Sequence, residues 1–184
     1  MPRRNKTYFD TFKILNIALV IFSLIVCIIL MLFRIPGIEL LGTSPNWLLI
    51  WLIAWSLKKS IWQGAIAGLL IGWVYDAITL AVPSHTLAFI IVGICTARIQ
   101  KQKYTGEDFI SVAFVVFFMT ILAETIFALQ YLRIHWLSIS QVLPKYQQTA
   151  IISAIITSLW SPIFYYPFNF WQRRIKQWQK RAIK

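Results

Sequence analysis

The apolar stretch at residues 61–82 carries a small residue at every fourth position and an acid at the end of that row. Its 22 residues contain one formal charge, and at ~1.5 Å per helical residue they can cross the ~30 Å core of a bilayer. The row consists of four residues: Gly64, Gly68, Gly72 and Asp76. Because residues four apart lie on nearly one helical face, the stretch predicts a spanning helix with a smooth groove and a carboxylate at its outer end.

Two interpretations of this row are open from the sequence. Small residues let another helix approach closely, which drives association where lipid removes the hydrophobic force. The approaching helix belongs either to the same chain or to a second protein that docks on the groove. Asp76 also has two interpretations, because a carboxylate within a span costs ~2.5–3.5 kcal/mol on insertion scales. It is either a structural or interface hydrogen-bond acceptor or a group that handles a ligand or a proton.

Composition restricts the class of protein. Of the 184 residues, 59% are hydrophobic, which is more than a soluble domain of this size can bury. The net charge of +12 would indicate nucleic acid in a soluble protein, but the basic residues cluster at the ends of apolar runs. Membrane orientation and anionic lipid therefore explain the charge, and no nucleic-acid partner is expected. Cys27 and Cys95 lie in different apolar runs and are read as buried apolar residues.

Six apolar runs predict an all-α polytopic membrane protein with about six transmembrane helices. Their expected bounds are 14–33, 47–57, 61–82, 86–99, 109–132 and 149–170. We expect residues 1–170 to form a single six-helix transmembrane domain and residues 171–184 to form a basic amphipathic cytoplasmic tail. The short second run leaves a re-entrant or interfacial segment open as an alternative to a span.

The distribution of lysine and arginine distinguishes the two topologies. If the second run crosses and the N-terminus is cytoplasmic, 15 of these residues lie inside and three outside. If the second run does not cross, six lie inside and 12 outside. Since cytoplasmic loops carry the excess of Lys and Arg, the sequence predicts six spans. Both termini, the Lys58-Lys59 pair and residues 98–103 are then cytoplasmic.

The C-terminal segment combines aromatic and basic residues. Its apolar residues share one helical face, and five basic residues lie mostly on the rest: Arg173, Arg174, Lys176, Lys180 and Arg181. This pattern is typical of a helix that lies on the anionic cytoplasmic leaflet, which makes anionic lipid an expected partner. A solvated tail that only sets the topology fits the pattern equally well.

Acidic and aromatic residues within the runs predict one further constellation. Asp76 and Glu124 each lie about 15 residues from the cytoplasmic start of their helices, so both are expected ~22 Å deep, in the outer half of the membrane. A shared polar pocket would contain five residues: Trp47, Trp51, Trp73, Asp76 and Glu124. Alternatively, each carboxylate is tied to a neighbouring Thr, Gln or Trp, and the tryptophans serve helix packing or face lipid.

Motifs for common catalytic and metal chemistry are missing from the sequence. Only six acidic residues occur, and a lone carboxylate cannot hold the divalent ion that lipid head-group transferases need. There is no HExxH motif, no phosphate-cradling glycine loop and no Ser/His/Asp set at a common depth. We expect neither an enzyme nor a bound cofactor or metal, and we expect His85 to make ordinary surface hydrogen bonds in an outer loop.

Three stretches in the middle of the chain resemble MreD, the rod-shape-determining membrane protein family. They are Ser44-Pro45-Asn46-Trp47-Leu48-Leu49, the glycine row that ends at Asp76, and Ala97-Arg98. The likeness is strongest over residues 44–103, continues in the same helix order over most of the chain, and is closest to cyanobacterial-type members. Pro83-Ser84-His85 departs from the family pattern, in which many members carry a glycine in this turn.

This resemblance implies a non-enzymatic scaffold of the cell-elongation complex in the plasma (inner) membrane. Such a scaffold would bind MreC and, through it, the cytoskeletal protein MreB, the glycosyltransferase RodA and a class B penicillin-binding protein. The family's fold is similar to the substrate-binding subunits of energy-coupling-factor vitamin transporters. That likeness implies an alternative function, a small-molecule-binding membrane subunit of a transporter. A third possibility is an ion- or proton-coupled transporter in which Asp76 and Glu124 titrate.

Overall fold

The computed structural model describes residues 3–33, 37–101, 109–135 and 139–183. Within these ranges the chain forms six α-helices and no strand beyond one isolated bridge between Leu40 and Thr43. The helices are α1 Arg3–Leu32, α2 Trp47–Ser56, α3 Ile61–Thr79, α4 Thr86–Lys101, α5 Phe109–His135 and α6 Ile139–Ile183. The prediction of an all-α protein is confirmed.

Four helices contain an apolar segment long enough to cross a membrane: Ile14–Leu32, Ile61–Thr79, Ile110–Ile134 and Tyr146–Pro167. Two shorter apolar helices, Trp47–Ser56 and Thr86–Ile99, complete the set. The outward faces of the long helices are apolar, and only 6% of the α1 segment is buried within the protein. An apolar outer surface of this extent suits lipid as the solvent, which agrees with the predicted polytopic membrane protein.

Helix α2 lies at the centre of the molecule. Nine of its ten residues are buried, and each of the other five helices contacts it. Ten helical residues reach only ~15 Å, about half of the bilayer core. A helix of half length is tolerated at this position because it is surrounded by the other helices, and the backbone at its N-terminus finds partners within the protein.

The N-terminus of α2 lies near mid-depth of the spanning segments. Asn46 caps the helix by accepting the Leu49 N–H, and the backbone N–H of Asn46 donates to Thr157 Oγ1 at 3.2 Å. Thr157 lies midway along the apolar segment of α6. The non-helical residues 37–46 therefore lead into the protein interior, where Pro45 is buried.

Helices α3 and α4 form an antiparallel hairpin and contact each other more extensively than any other pair of helices. Helix α3 starts with a capping box in which Ser60 and Gln63 exchange side chain–backbone hydrogen bonds. It ends at Thr79, earlier than the predicted residue 82, because Leu80 adopts the left-handed conformation with φ 50°. The Leu80 N–H still donates to the Asp76 carbonyl at 2.8 Å, and this bond closes the last turn.

Helix α6 is one unbroken helix of 45 residues. It starts before the predicted run at 149, and it contains Pro144, Pro162 and Pro167 without ending at any of them. The domain boundary expected between residues 170 and 171 lies inside this helix. The basic tail therefore continues directly from the last apolar segment.

Candidate functional site

The carboxylate of Asp76 connects the end of α3 to the beginning of α4. Its Oδ2 accepts hydrogen bonds from Ser84 Oγ at 2.5 Å and from Thr86 Oγ1 at 2.8 Å. Its Oδ1 accepts the backbone N–H of His85 at 2.7 Å, and the ring Nδ1 of His85 lies 3.2 Å from the same oxygen. Both carboxylate oxygens are thus occupied by groups of the α3–α4 turn.

This arrangement satisfies groups that a helix beginning would otherwise leave unpaired. The first N–H groups of an α-helix have no intrahelical acceptor, and a negative charge near them is favourable. Asp76 takes the His85 N–H, and Ser84 Oγ accepts the Thr86 N–H at 3.1 Å. The first turn of α4 then follows with the bond from the Phe89 N–H to the His85 carbonyl. Asp76 therefore acts as an N-terminal cap supplied by the neighbouring helix.

An aromatic cluster surrounds His85 at the meeting point of α3, α4 and α5. The His85 ring stacks on Phe127 with 4.1 Å between centroids and 14° between planes. The Tyr75 ring lies 4.6 Å from His85 and 5.1 Å from Phe89. Burial lowers the pKa of the His85 imidazole below its usual range, although the hydrogen bond and negative charge of Asp76 oppose this shift. The neutral ring is therefore favoured in the folded protein.

Glu124 lies one turn before Phe127 on α5 and faces α6. Its Oε1 accepts a hydrogen bond from Ser153 Oγ at 3.2 Å. Tyr75 lies within electrostatic range of both Glu124 and Asp76. The two carboxylates thus lie in one region of the helix bundle, but each is hydrogen-bonded to its own neighbour.

The tryptophans of the predicted polar pocket lie elsewhere. Trp47 is buried against α6, with its ring 5.7 Å from Trp160 and 5.2 Å from Phe164. Trp51 donates its indole N–H to Ser23 Oγ on α1 at 2.9 Å. Trp73 is 59% exposed on the outer face of α3.

The structure therefore does not bring the five residues of the predicted pocket together. Asp76 and Glu124 belong to the α3–α4–α5 region, whereas Trp47 and Trp51 contact α6 and α1. Trp47, Trp51 and Trp73 thus lie in three different environments.

A separate apolar cavity of about 400 Å³ lies between α1, α2 and α6. Its wall includes Phe22 and Ser23 of α1, Trp51 and Ala54 of α2, and Phe164 and Trp171 of α6. Phe22 and Trp171 are also exposed on the outer surface, 68% and 47% respectively. The cavity consequently opens sideways between α1 and α6.

The predicted glycine groove is filled by α4 of the same chain. A Cβ atom on Gly64 would collide with the backbone carbonyl of Gly93, and one on Gly68 would collide with that of Phe89. A Cβ on Gly72 would lie 2.5 Å from Thr86 Cα. Gly93 is the counterpart on α4, because a Cβ there would collide with the Gly64 carbonyl. Backbone therefore packs directly on backbone along the hairpin.

Of the five basic residues predicted to contact lipid, the structure describes the side chain of one. The Arg174 guanidinium lies 4.6 Å from the centroid of the Phe170 ring. The other four side chains lie outside the described part of the chain: Arg173, Lys176, Lys180 and Arg181.

Sequence reasoning missed the partners of Asp76 and the glycine opposite the groove. His85 was expected to make surface hydrogen bonds in an outer loop, yet its backbone and ring both contact Asp76. A signal was available, because Ser84 and Thr86 lie at the beginning of an apolar helix, and Ser and Thr are typical of helix starts. Among the described residues, no group of three His, Cys, Asp or Glu side chains could hold a metal ion.

Fold and site together define an all-α polytopic membrane protein whose intramembrane carboxylates are hydrogen-bonded to neighbouring helices and turns. Residues 11–171 match the family described as rod shape-determining protein MreD. The chain belongs to the MreD family, as the sequence resemblance predicted, and is a rod-shape-determining protein of the bacterial inner membrane. No curated protein and no solved structure gives a significant match. The similarity to energy-coupling-factor subunits stays a prediction.

Proposed function

We propose that the chain is a non-enzymatic membrane scaffold that binds an MreC-type partner and supports peripheral peptidoglycan synthesis. Through that partner it would be linked to MreB, RodA and a class B penicillin-binding protein. Membership of the MreD family supports a function in rod-shape determination. The proposal adds the manner of action, which is protein–protein contact without chemistry.

The hydrogen bonds of the Asp76 carboxylate are the main observation in support of the proposal. Three donors from the α3–α4 turn occupy the two oxygens of its carboxylate. A transporter or an enzyme would need this group to exchange a proton, an ion or a substrate, whereas a structural acceptor stays occupied. The hydrogen bonds of Asp76 therefore favour a fixed hairpin over turnover.

The glycine row supports a rigid scaffold as well. Because α4 fills the groove, the row contributes to partner binding by holding the hairpin in one shape. A second protein would then contact outward faces of the bundle. Ile21 on α1 and Ile66 on α3 are examples of such positions, 52% and 56% exposed.

Site-specific photo-crosslinking in native membranes tests the scaffold function. A photoreactive residue is placed at a series of exposed positions on each long helix, including Ile21 and Ile66, and at buried Ile53 as the matched control. We expect an MreC-type chain to be attached at a contiguous subset of the exposed positions and not at Ile53. Normal insertion of all variants without any attached partner chain would contradict the proposal.

The alternative of a small-molecule-binding subunit has one observation in its favour. The cavity of about 400 Å³ falls within the usual size range of ligand sites. Its wall is apolar, however, and neither Asp76 nor Glu124 belongs to it. A polar, vitamin-like molecule would therefore find few partners there. Release of a stoichiometric water-soluble molecule on denaturation would favour the alternative, whereas a scaffold releases none.

A further inference from the structure

We propose that the cavity between α1, α2 and α6 holds one acyl chain of an anionic glycerophospholipid, with the lipid phosphate beside Arg174. The inference is independent of the partner proposed above, because it uses only the shape, lining and charge of this region. It assigns a bound lipid to the body of the fold, in addition to the surface contact expected of a basic tail.

The depth of the cavity fits a single acyl chain. Its deep end is lined by Ser23, Val26 and Trp51, and the two α1 residues lie near and just past the middle of the spanning segment of α1. Its opposite end is bounded by Trp171, just beyond the C-terminal end of the spanning segment of α6. The cavity thus covers about half of the ~30 Å core, which is the depth that one leaflet contributes.

The lining selects hydrocarbon over other occupants. Aromatic and aliphatic side chains form most of the wall, and the hydroxyl of Ser23 is already engaged by the Trp51 indole N–H. A polar ligand would lose its hydration without gaining hydrogen bonds. A partner helix, ~10–12 Å across and long enough to span, would need a groove through the full membrane thickness. A methylene chain matches both the half depth and the apolar wall.

The charge beside the opening selects an anionic head group. Arg174 lies one helical turn after Trp171, on a continuous α6, and its guanidinium is positioned over the Phe170 ring. Five further Lys or Arg residues occupy positions 173–184 of the same segment. A guanidinium suits phosphate geometry, and basic groups near the membrane surface attract anionic lipid. The lipid is therefore expected to carry net negative charge.

Native mass spectrometry of the purified full-length chain tests the proposal. The chain is titrated with phosphatidylglycerol and, separately, with phosphatidylcholine of the same acyl composition. We expect one tightly held phosphatidylglycerol and about tenfold weaker binding of phosphatidylcholine. Equal retention of both lipids would overturn the assignment of an anionic head group.

Two variant pairs locate the lipid. Ala54→Phe extends a ring into the cavity and should weaken phosphatidylglycerol binding about tenfold, while Ala77→Phe on the exposed face of α3 should leave it unchanged. Arg174→Glu should abolish the preference for phosphatidylglycerol, while Arg98→Glu, an equal change of charge at the exposed end of α4, should preserve it. If Ala54→Phe binds the lipid as tightly as the unmodified chain, the cavity is not the site.

Folding and competing occupants are controlled in the same experiment. Phosphatidylglycerol should raise the thermal unfolding midpoint of the unmodified chain and of Ala77→Phe but not that of Ala54→Phe. Val26→Phe, at another wall of the cavity, replaces Ala54→Phe if the latter does not fold. Recovery of a second protein chain in place of lipid, lost on cavity filling, would overturn the proposal.

Discussion

A carboxylate within a membrane-spanning helix is costly unless its acceptor sites are used, and Asp76 uses them locally. Its partners Ser84, His85 and Thr86 follow within ten residues, and the turn after α3 brings them to the carboxylate. Insertion scales assign ~2.5–3.5 kcal/mol to an aspartate at the centre of a span, which is an upper bound for Asp76 because it lies three residues before the end of α3. Hydrogen bonds to a charged group contribute ~1.5–3 kcal/mol each, which is sufficient to offset that cost.

The two possible functions of Asp76 predict different outcomes for its replacement. Asp76→Asn keeps the shape and one acceptor oxygen, so we expect the α3–α4 turn and partner recovery to be largely retained. Asp76→Leu leaves the His85 N–H and two hydroxyls unpaired and should cost ~1–3 kcal/mol of stability. The measurements are the thermal unfolding midpoint and the amount of MreC-type chain that co-purifies at matched expression.

Cell-shape rescue completes the test of Asp76. Rescue by Asn but not by Leu would support hydrogen bonding within the scaffold. Equal failure of both variants, with normal partner recovery, would show that the titrating group itself is required, as in a proton- or ion-coupled transporter. Ser84→Ala is a suitable control, because it removes one donor to Asp76 and the acceptor of the Thr86 N–H but leaves the charge of Asp76 in place.

At the level of helices, the α3–α4 hairpin depends on glycines in both members. Gly64 and Gly93 contact each other through backbone atoms, and Gly68 contacts the backbone at Phe89. Lipid provides no hydrophobic force between helices, so their association relies on close packing and on hydrogen bonds. The glycine row and the Asp76 cap supply these two contributions at successive points of one hairpin.

Gly68→Leu should therefore separate α3 from α4. Even the Cβ atom would collide with the Phe89 carbonyl, so Gly68→Ala is expected to destabilise as well, by ~1–3 kcal/mol, as overpacked cores do. Ala77→Leu, on the exposed face of α3, is the matched control and should have little effect. Thermal unfolding in detergent and co-purification of the MreC-type chain give the measurements.

Two outcomes would contradict the prediction that the glycine row packs against α4. If Gly68→Leu and Gly72→Leu both accumulate normally, keep their partners and support rod growth, the groove is not an interface of any kind. Loss of partner binding at an unchanged unfolding midpoint would instead show that a second protein packs on the row.

For the whole molecule, the path of α2 bears on the topology. Residues 37–46 enter the interior as non-helical chain, and α2 continues from mid-depth toward Lys58 and Lys59. Lys58 lies 6.0 Å from the Tyr165 ring, which is close to the C-terminal end of the α6 spanning segment. Of residues 37–46, Pro45 is buried, whereas Leu40 and Leu41 are exposed. The six crossings stay a prediction from the charge distribution.

Single-cysteine labelling in intact cells tests this topology after Cys27 and Cys95 are replaced. Leu41, which is 78% exposed in the α1–α2 connection, should react from outside as Leu41→Cys. Lys59→Cys and Arg174→Cys should react only after permeabilisation, because the cytoplasmic side carries the excess of basic residues. Outside labelling at position 59 would refute six crossings.

Several features of this protein could be predicted from its sequence. Backbone groups in lipid must be satisfied within the segment that carries them, so long apolar runs can only be helices. The row of glycines marked α3 as a site of close helix contact, and the residues around it were enough to indicate the MreD family. The sequence predicts the end of α3 at residue 82, and the helix ends slightly earlier, at Thr79.

The assignment of faces needed the folded molecule. In water, the polarity of its residues shows which side of a helix is buried. Lipid is as apolar as a protein core. The sequence therefore does not distinguish the exposed indole of Trp73 from the buried indole of Trp47. The same ambiguity concealed the burial of α2 on all sides and the cavity beside Ala54. Whether Asp76 faces a ligand or a turn of its own chain depended on where residues 84–86 fold back, and long-range packing of α4 against the glycines decides that position.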